Sequence, residues 1–477
     1  MNKLDELKES AKNININNTI SFIKCLNERK IGKIQSDIPT INGLTIEFQK
    51  SKRCFRFSTD SIMDCKSPVK YQNSSYGFQK PFKIEYEDNL YAIENGIGAI
   101  SIKIGQGFAT EGELWEIETN TFKQTKGFFR AVLPLSKFAK APLHYLLGKS
   151  MNFGSTFRAA GYINIKLSEN EIGFFDFDID KQKYVAIEYR QSTDFILFER
   201  IIESLIYSYA FISGSLIRDE IFIIKYSNNE FDNIVDFQFR KIEDGITSGF
   251  ELINPKEHQS YVENFSKYRA NPEYFPERIF SNLNELCFNN KPILRAIRII
   301  TQARDLPNEI KIASLYVALE TIKQVIIDSN IDKISPFKDK SFAATTITDL
   351  KNIISDIPED NFNDKNMVIK KIENLNAIGN NDSFTLAFKL AGYKLSKEDK
   401  KYIRLRNRFL HGNIPFDNEV EQLKNDALLE ITTNTHFLVC SLLLKYVGYD
   451  GVVKDLLSYI NLKKGIYSHE TPLFRKI

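Results

Sequence analysis

The spacing of apolar residues changes along this chain near residue 193, and that change limits the folds open to it. Before it, short apolar runs alternate with polar residues, as in Thr45–Phe48, Phe82–Tyr86, Ala99–Ile104 and Tyr162–Leu167. Such alternation predicts strands with one buried face. Later, apolar residues recur at helical spacing. The sequence therefore predicts an α+β fold, with a β-rich mixed first part followed by an all-α helical bundle.

The same change in the spacing of apolar residues also indicates the domain boundaries. A helix is predicted from Phe195 to its stop at Gly214, and two more strands follow at Glu220–Tyr226 and Ile234–Phe239. Prolines at 255, 272 and 276 then bracket a polar stretch. We expect a β-rich domain over residues 1–255, a helical connection over 256–289, a helical domain over 290–455 and a tail over 456–477.

Within the second half, no segment from Ile279 onward predicts a strand. Proline 307 suits the first turn of a helix, and Ser396 with Asp399 resembles a capping box. The longest predicted helix ends at Gly448. The predicted helices are Pro292–Ala303, the helix that Pro307 opens, Thr345–Ile357, Asn366–Asn376, Ser396–His411 and Asn418–Val447.

Composition narrows the class of protein. The 477 residues carry 64 basic and 61 acidic side chains, a net charge of +3, so a nucleic-acid contact requires a local basic patch. Five cysteines, none at CxxC spacing, predict neither a disulfide framework nor a zinc site. The start of the sequence lacks the apolar core of a signal peptide, and no uninterrupted apolar stretch has membrane-spanning length. We expect a soluble cytoplasmic protein without membrane contact.

Several nucleotide, metal and hydrolase motifs fail in this sequence. Residues Leu147 to Ser150 match the end of a P-loop, but Leu143 replaces its first glycine. There is no HExxH, no GxSxG and no His/Cys cluster at metal-binding spacing among five histidines. The sequence therefore predicts no metal and no cofactor.

One segment carries a combination of groups with its own chemistry. His411 follows five cationic side chains that lie within nine residues: Lys400, Lys401, Arg404, Arg406 and Arg408. Guanidinium groups hold phosphate oxygens in pairs, and an imidazole moves protons near neutral pH. Cleavage of RNA needs a proton taken from a 2′-hydroxyl, a proton given to a 5′-oxygen, and stabilised charge on the phosphoryl oxygens. These residue types supply all three.

The spacing of Arg406 and His411 adds a geometric limit. Five residues apart on a helix, they lie about 140° apart around the axis and roughly 7.5 Å along it. One helix does not easily direct both groups at a single phosphate. A second copy of the helix across a two-fold axis would supply the missing group, which favours a dimer without requiring it.

Plainer interpretations remain open. A basic helix end is commonly a solvated face with a favourable dipole interaction. His144 sits among apolar residues and suits packing, and His258 and His469 lie in polar stretches. His436 is predicted to pack within the bundle, with a position facing the site as the alternative.

The motif resembles a known family. Arg406-Asn407-Arg408-Phe409-Leu410-His411-Gly412 looks like the RNxxxH signature of HEPN ribonuclease domains, and 411–413 extends the likeness. Ser314–Glu320 resembles the early HEPN helix, and Phe384–Gly392 followed by Leu395-Ser396 resembles the segment before the motif. Leu442–Gly451 resembles the close of the Apea-like HEPN subgroup. This resemblance covers about 290–455. The first half is more distantly similar to the N-terminal domain of ApeA-type anti-phage proteins.

The resemblance implies a metal-independent endoribonuclease that acts in anti-phage, abortive-infection defence as a homodimer. Arg406 and His411 would be catalytic, and Asn407 would orient the helix end or the substrate. Arg404, Arg408 and Lys401 are expected to bind RNA phosphates. Glu320 is a supporting polar candidate, with a solvated helix acid as its alternative. The first domain would sense a phage-derived trigger or silence the nuclease, and tRNA is one candidate target.

Two other functions compete with this hypothesis. HEPN domains also serve as non-catalytic dimerisation or RNA-binding modules, which would bind RNA without turnover. A DNA-cutting enzyme is disfavoured, because a mechanism that uses the 2′-hydroxyl has no nucleophile on DNA.

Overall fold

A computed structural model gives the fold of most of the chain. It describes residues 12–39, 41–51, 53–59, 78, 80–87, 89–94, 97–104, 108–136, 139–154, 156–217, 219–242, 250–266, 271–376, 380–412, 420–465 and 472–477. The chain separates into two compact units, Met1–Asn289 (unit 1) and Asn290–Ile477 (unit 2). The predicted α+β class is confirmed in its coarse form, since a large sheet region precedes a helical region.

Unit 1 is built on one large sheet. Its strands are β1 (Lys12–Ile14), β2 (Lys30–Gln35), β3 (Thr45–Lys50), β4 (Phe55–Thr59), β5 (Phe82–Tyr86), β6 (Asn89–Ile93), β7 (Ile97–Ile104), β8 (Phe108–Leu114), β9 (Glu116–Thr119), β10 (Gly127–Pro134), β11 (Lys149–Phe153), β12 (Thr156–Leu167), β13 (Asn170–Ile179), β14 (Gln182–Thr193), β15 (Glu220–Tyr226) and β16 (Ile234–Lys241). Its helices are α1 (Asn17–Leu26), α2 (Phe195–Ser213), α3 (Pro255–Ser266) and α4 (Glu277–Asn289).

The sheet order is β1-β11-β12-β13-β14-β10-β15-β16-β9-β6-β5-β2-β3-β4-β8-β7. β1 pairs with β11 in parallel and the other pairs are antiparallel. Alternation produces the buried face, as in β2, where buried and exposed residues strictly alternate. Asp180 and Lys181, between β13 and β14, both have positive φ, the geometry of a tight hairpin turn.

Helix α2 covers part of this sheet and is buried along most of its length. Asp194 caps its start by accepting a hydrogen bond from the Leu197 amide, and Gly214 ends it with a φ of 67°. The Phe198 ring stacks on Phe129 of β10 at 5.2 Å between centroids. The predicted helix and its stop are thus confirmed.

A charged pair lies inside unit 1. Arg130 and Glu188 face each other across β10 and β14, and neither side chain is exposed. Arg130 Nε donates to Glu188 Oε1 at 3.0 Å, and Nη1 donates to the Asn15 carbonyl at 2.8 Å and to Thr19. Its guanidinium also lies 4.5 Å from the Phe231 ring centroid. Every nitrogen of this buried arginine therefore has a partner.

Unit 2 is mainly helical. Its helices are α5 (Lys291–Gln302), α6 (Asn308–Asp328), α7 (Ile331–Ile334), α8 (Lys340–Asp356), α9 (Lys365–Glu373), α10 (Asn380–Leu390), α11 (Lys397–Leu410), α12 (Glu421–Tyr446) and α13 (Leu456–Lys463). Two strands, β17 (Val452–Lys454) and β18 (Phe474–Lys476), pair antiparallel. The expectation of no strand after Ile279 was wrong here, because three-residue strands carry no readable alternation.

Long helices α6 and α12 supply much of the core of unit 2. Helix α12 is the one helix in the described ranges with the length and composition of a membrane span, and 78% of its most apolar window is buried inside the structure. Helices α8 and α9 differ from this core. Among their residues only Ala343 is buried, and Phe342, Ile353 and Met367 are exposed.

Three segments lie differently from their predicted roles. Residues 256–289, expected as a connection, contribute α3 and α4 to unit 1, and Ser281 of α4 accepts a hydrogen bond from the Lys166 amide of β12. The expected tail contains α13 and β18. The sequence of residues 1–35 is polar and predicts a mostly helical segment, but its described residues hold β1 and β2 as well as α1.

Candidate functional site

Helix α11 carries the RNxxxH segment, and its ends follow from local sequence. Ser396 accepts from the Asp399 amide at 3.0 Å, and the Asp399 side chain accepts from the Ser396 amide at 2.8 Å. This reciprocal pair is the capping box that the sequence predicts. At the other end His411 is the C-cap, and Gly412 has a φ of 72°, which terminates the helix as predicted.

One face of α11 packs into unit 2. Tyr402, Ile403, Arg406 and Phe409 are buried, and their spacing of three or four residues places them on one side. The Tyr316 hydroxyl of α6 donates to the Tyr402 carbonyl, and the Tyr316 and Phe409 rings are 6.1 Å apart. Arg406 therefore belongs to the packed side of the helix.

Arg406 is held by three neighbours. Its Nε lies 3.1 Å from Glu320 Oε1 on α6, and its Nε and Nη2 donate to Asn407 Oδ1 at 3.1 and 2.8 Å. Its guanidinium lies 4.5 Å from the centroid of Phe384 on α10. Within the described residues Nη1 is buried with no hydrogen-bond partner. A buried, unpaired cationic donor is costly, so this atom is the unsatisfied point of the cluster.

Around the opposite side of α11 the groups are exposed. His411, Arg404, Arg408, Lys400 and Lys401 all reach the surface. Lys401 Nζ lies 3.6 Å from Glu398, and both side chains are mostly exposed, so this pair contributes little to stability. An exposed imidazole thus stands at the end of a surface rich in guanidinium and ammonium groups.

The structure therefore brings together some predicted site residues and separates others. Arg406, Asn407 and Glu320 form one cluster, so Glu320 has a partner and is not simply a solvated acid. His411 lies on the exposed side, as the five-residue spacing predicts for one copy of the helix. The 413–419 segment, which includes Asn413 of the resemblance, lies outside the described residues.

Two residues of the cluster were missed from the sequence. Phe384 stacks on Arg406, and Lys323 of α6 lies 4.8 Å from the same ring centroid. Burial lowers the pKa of Lys323, with nearby Glu320 acting in the opposite direction. No local motif marks these positions, because they depend on the packing of α6 and α10 against α11.

Among the described residues, the other histidines, His144, His258 and His436, are half-buried or buried. His436 is buried in the middle of α12, as favoured, and burial lowers its pKa to about 3, with Lys311 adding to the effect. His144 is half-buried and its Nε2 lies 3.2 Å from Asn254 Oδ1. Residue 469 lies outside the described part. In the described ranges no group of three or more His, Cys, Asp or Glu side chains is placed to hold a metal ion.

Unit 1 has an open hollow of about 380 Å³ on the exposed side of β3, β4, β7 and β8. Its lining mixes both signs of charge and small polar groups: Glu47, Gln49, Arg56, Ser58, Ser101, Glu111 and Glu113. No local sequence pattern predicts this surface, because cross-strand neighbours in a large sheet come from distant parts of the chain.

Comparison with known proteins adds no family to this description. No family model, no curated protein and no solved structure matches the chain.

Proposed function

We propose that this protein is a metal-independent endoribonuclease of the HEPN type, in which His411 handles the protons of the reaction. The observation that carries the proposal is the position of His411. It is an exposed imidazole at the end of the helix whose last turn is held by the contacts of buried Arg406 with Asn407 and Glu320. The resemblance of the segment to RNxxxH supports the same reaction.

The chemistry is a transesterification. A neutral imidazole takes the proton of a ribose 2′-hydroxyl, and the 2′-oxygen attacks the adjacent phosphorus. The bond from phosphorus to the 5′-oxygen breaks, and an imidazolium returns a proton to that oxygen. The products end in a 2′,3′-cyclic phosphate and a 5′-hydroxyl. The exposed Arg404 and Arg408 bind backbone phosphates next to the one that is cut, and their positive charge stabilises the negative charge that develops there.

Arg406 has a positioning role in this proposal. Its guanidinium is buried and bonded to Glu320 and Asn407, so in one copy it lies away from the surface that His411 shares. It fixes the last turn of α11 and turns the Asn407 amide toward itself. Nη1, which has no hydrogen-bond partner among the described residues, is the donor that a rearrangement in the dimer would bring to a phosphate.

A dimer completes the site. One imidazole cannot be both the base and the acid at two oxygens in a single step, whereas two copies of α11 about a two-fold axis provide two. The resemblance to HEPN ribonucleases implies a role in anti-phage defence, in which cleavage of RNA such as tRNA arrests growth. Unit 1 would then be the sensor of a phage-derived trigger.

The test uses the full-length protein in EDTA with RNA, comparing wild type, His411→Ala and the control His144→Ala in unit 1. We expect His411→Ala to lower cleavage about 10³-fold while the dimer remains intact, and His144→Ala to cleave normally. Product ends are read by cyclic-phosphate-specific ligation. Cleavage by His411→Ala at the wild-type rate would sink the assignment.

Co-expression tests the shared site. If equal amounts of wild-type and His411→Ala chains pair at random, about a quarter of the dimers are wild type on both sides. A site that needs both imidazoles then retains about a quarter of the activity, whereas independent sites retain about half. Activity near half would contradict the composite site.

The second candidate function is a non-catalytic RNA-binding module, which the exposed cationic surface of α11 favours. It predicts binding without new RNA ends, with His411→Ala changing affinity alone. The cleavage assay above separates the two functions.

A further inference from the structure

The exposed side of α11 carries one cation on each turn. Lys397, Lys400, Arg404 and Arg408 follow one another at steps of three or four residues, and His411 stands three residues further on. Such steps keep successive side chains on one face. These four residues are the basic stripe. The distance along the helix axis from Lys397 to His411 is about 21 Å.

The charges of the basic stripe are not compensated by the fold. In the described part of the chain none of its four side chains forms an ion pair, whereas the neighbouring Lys401 is paired with Glu398. Like charges at a spacing of four residues destabilise a helix by a few tenths of a kcal/mol per pair. The helix dipole favours Arg408 in the last turn but disfavours Lys397 in the first turn, so helix stability does not explain the whole stripe. An extended polyanion would relieve its repulsion.

We infer that the basic stripe is a track for a single strand of RNA. Successive phosphates on one side of the cleavage point bind Lys397, Lys400, Arg404 and Arg408, and the track delivers the strand to His411. This inference rests on the proposed function, because it is the catalytic imidazole that gives the track its end point.

Two arguments favour a single strand over a duplex. The stripe is straight along one helix, whereas the phosphates of an A-form strand wind around the duplex axis. The attacking 2′-oxygen must also line up opposite the departing 5′-oxygen, a geometry that needs a freely rotating backbone and that stacking in a duplex restrains.

The track reads phosphates, not bases. The aromatic residues of α11, Tyr402 and Phe409, are buried on its other face and do not offer a stacking platform beside the stripe. Binding along the stripe should therefore tolerate sequence, depend strongly on salt and extend to single-stranded DNA of equal length, which is bound but not cut.

The experiment measures binding by full-length His411→Ala protein to a single-stranded RNA of mixed sequence, to its duplex and to the DNA equivalent, over a range of salt. Single alanine variants of the stripe are compared with Lys370→Ala/Lys371→Ala, two exposed lysines on α9. Each stripe variant should lower the slope of log affinity against log salt by about 0.7, and the α9 control should not change it.

RNA length gives a second readout. Arg408→Ala should weaken binding of short and long RNAs alike, whereas Lys397→Ala should weaken binding only of RNAs long enough to reach the far end of the stripe. Equal effects of both variants at every length, or tighter binding of the duplex, would overturn the single-strand track.

Cleavage by wild type keeps the two failures apart. If wild type cuts RNA while the stripe variants leave slope and affinity unchanged, the track is wrong and the proposed function stands. If the stripe variants change the slope as expected but wild type leaves no cut ends, the track stands and the nuclease assignment is wrong.

Discussion

Each unit of this protein buries an arginine side chain, and the two differ in how completely their nitrogens are hydrogen-bonded. Arg130 in unit 1 meets Glu188, Thr19 and a backbone carbonyl, so all of its nitrogens are bonded. Arg406 in unit 2 stacks on an aromatic ring in the same way, yet its Nη1 has no partner among the described residues. Its carboxylate partner, Glu320, is also partly exposed, whereas Glu188 is fully buried.

The difference separates a structural ion pair from the arginine of the proposed site. A buried charge that is completely bonded makes a rigid, specific contact, and removing one partner is costly. A buried cation with an unbonded N–H group lowers the stability of the fold, because that group has lost its hydrogen bond to water. Unit 1 thus uses its buried arginine to join strands. In unit 2, Nη1 of Arg406 has no partner among the described residues, and it lies on α11, the helix of the proposed RNA-cutting site.

The largest expected effect concerns a second buried titratable group of unit 2, His436. Burial and Lys311 lower the pKa of His436 from 6.5 to about 3. Between pH 6.5 and pH 3 the His436 imidazole is therefore protonated in the unfolded chain but not in the folded protein. Stability should fall by about 1.4 kcal/mol per pH unit as the pH drops below 6.5, on the order of 5 kcal/mol in total by pH 3.

Urea unfolding at several pH values measures this loss. His436→Asn should remove that part of the acid dependence. Leu444→Ala, a buried position two turns further on in α12, should lower stability by the same amount at every pH. An unchanged acid slope in His436→Asn would show that His436 is not the group responsible.

The next largest effect tests whether the pair in unit 1 is structural. Glu188→Ala leaves Arg130 buried without its carboxylate and should cost about 3–5 kcal/mol in the free energy of unfolding. Glu199→Ala breaks a 2.6 Å ion pair with Arg240 that is partly exposed, and should cost less than about 1 kcal/mol. Equal losses in denaturant melts would remove the distinction drawn for Arg130.

A smaller stability effect is expected at Arg406. Arg406→Ala removes a cation that is already unsatisfied at Nη1 and leaves the half-exposed Glu320 free to hydrate. It should cost about 2 kcal/mol in unfolding free energy, less than Glu188→Ala. Arg406→Lys should recover packing on Phe384 but not the two bonds to Asn407. Cleavage rates that follow stability across both variants would argue against a positioning role.

The smallest effect is expected at Glu320. Glu320→Gln keeps the shape and removes the charge from a pair whose acidic partner is partly exposed, so unfolding free energy should change by less than about 1 kcal/mol. If Glu320 fixes the guanidinium for function, kcat falls while KM for RNA stays close to wild type. A change confined to KM would place Glu320 in substrate binding instead.

Local sequence predicted much of this architecture and only part of the site. Alternation predicted β5 and β12, and the predicted helix from Ser396 to His411 matches both ends of α11, because such signals act between near neighbours. The five-residue step from Arg406 to His411 correctly predicted different sides of one helix. The stacking of Phe384 on Arg406 and the order of the sheet strands depend on contacts between distant segments, which no local pattern encodes.

Helices α8 and α9 bury a single alanine between them, and this has a consequence for how unit 2 opens. Few buried apolar contacts mean that a segment unfolds locally at a free energy far below that of the whole domain. The amides of α8 and α9 should then exchange with deuterium long before those of α12. Local unfolding confined to α8 and α9 would leave the core around α12 intact. Unit 2 is therefore expected to open in one part while the other part stays folded.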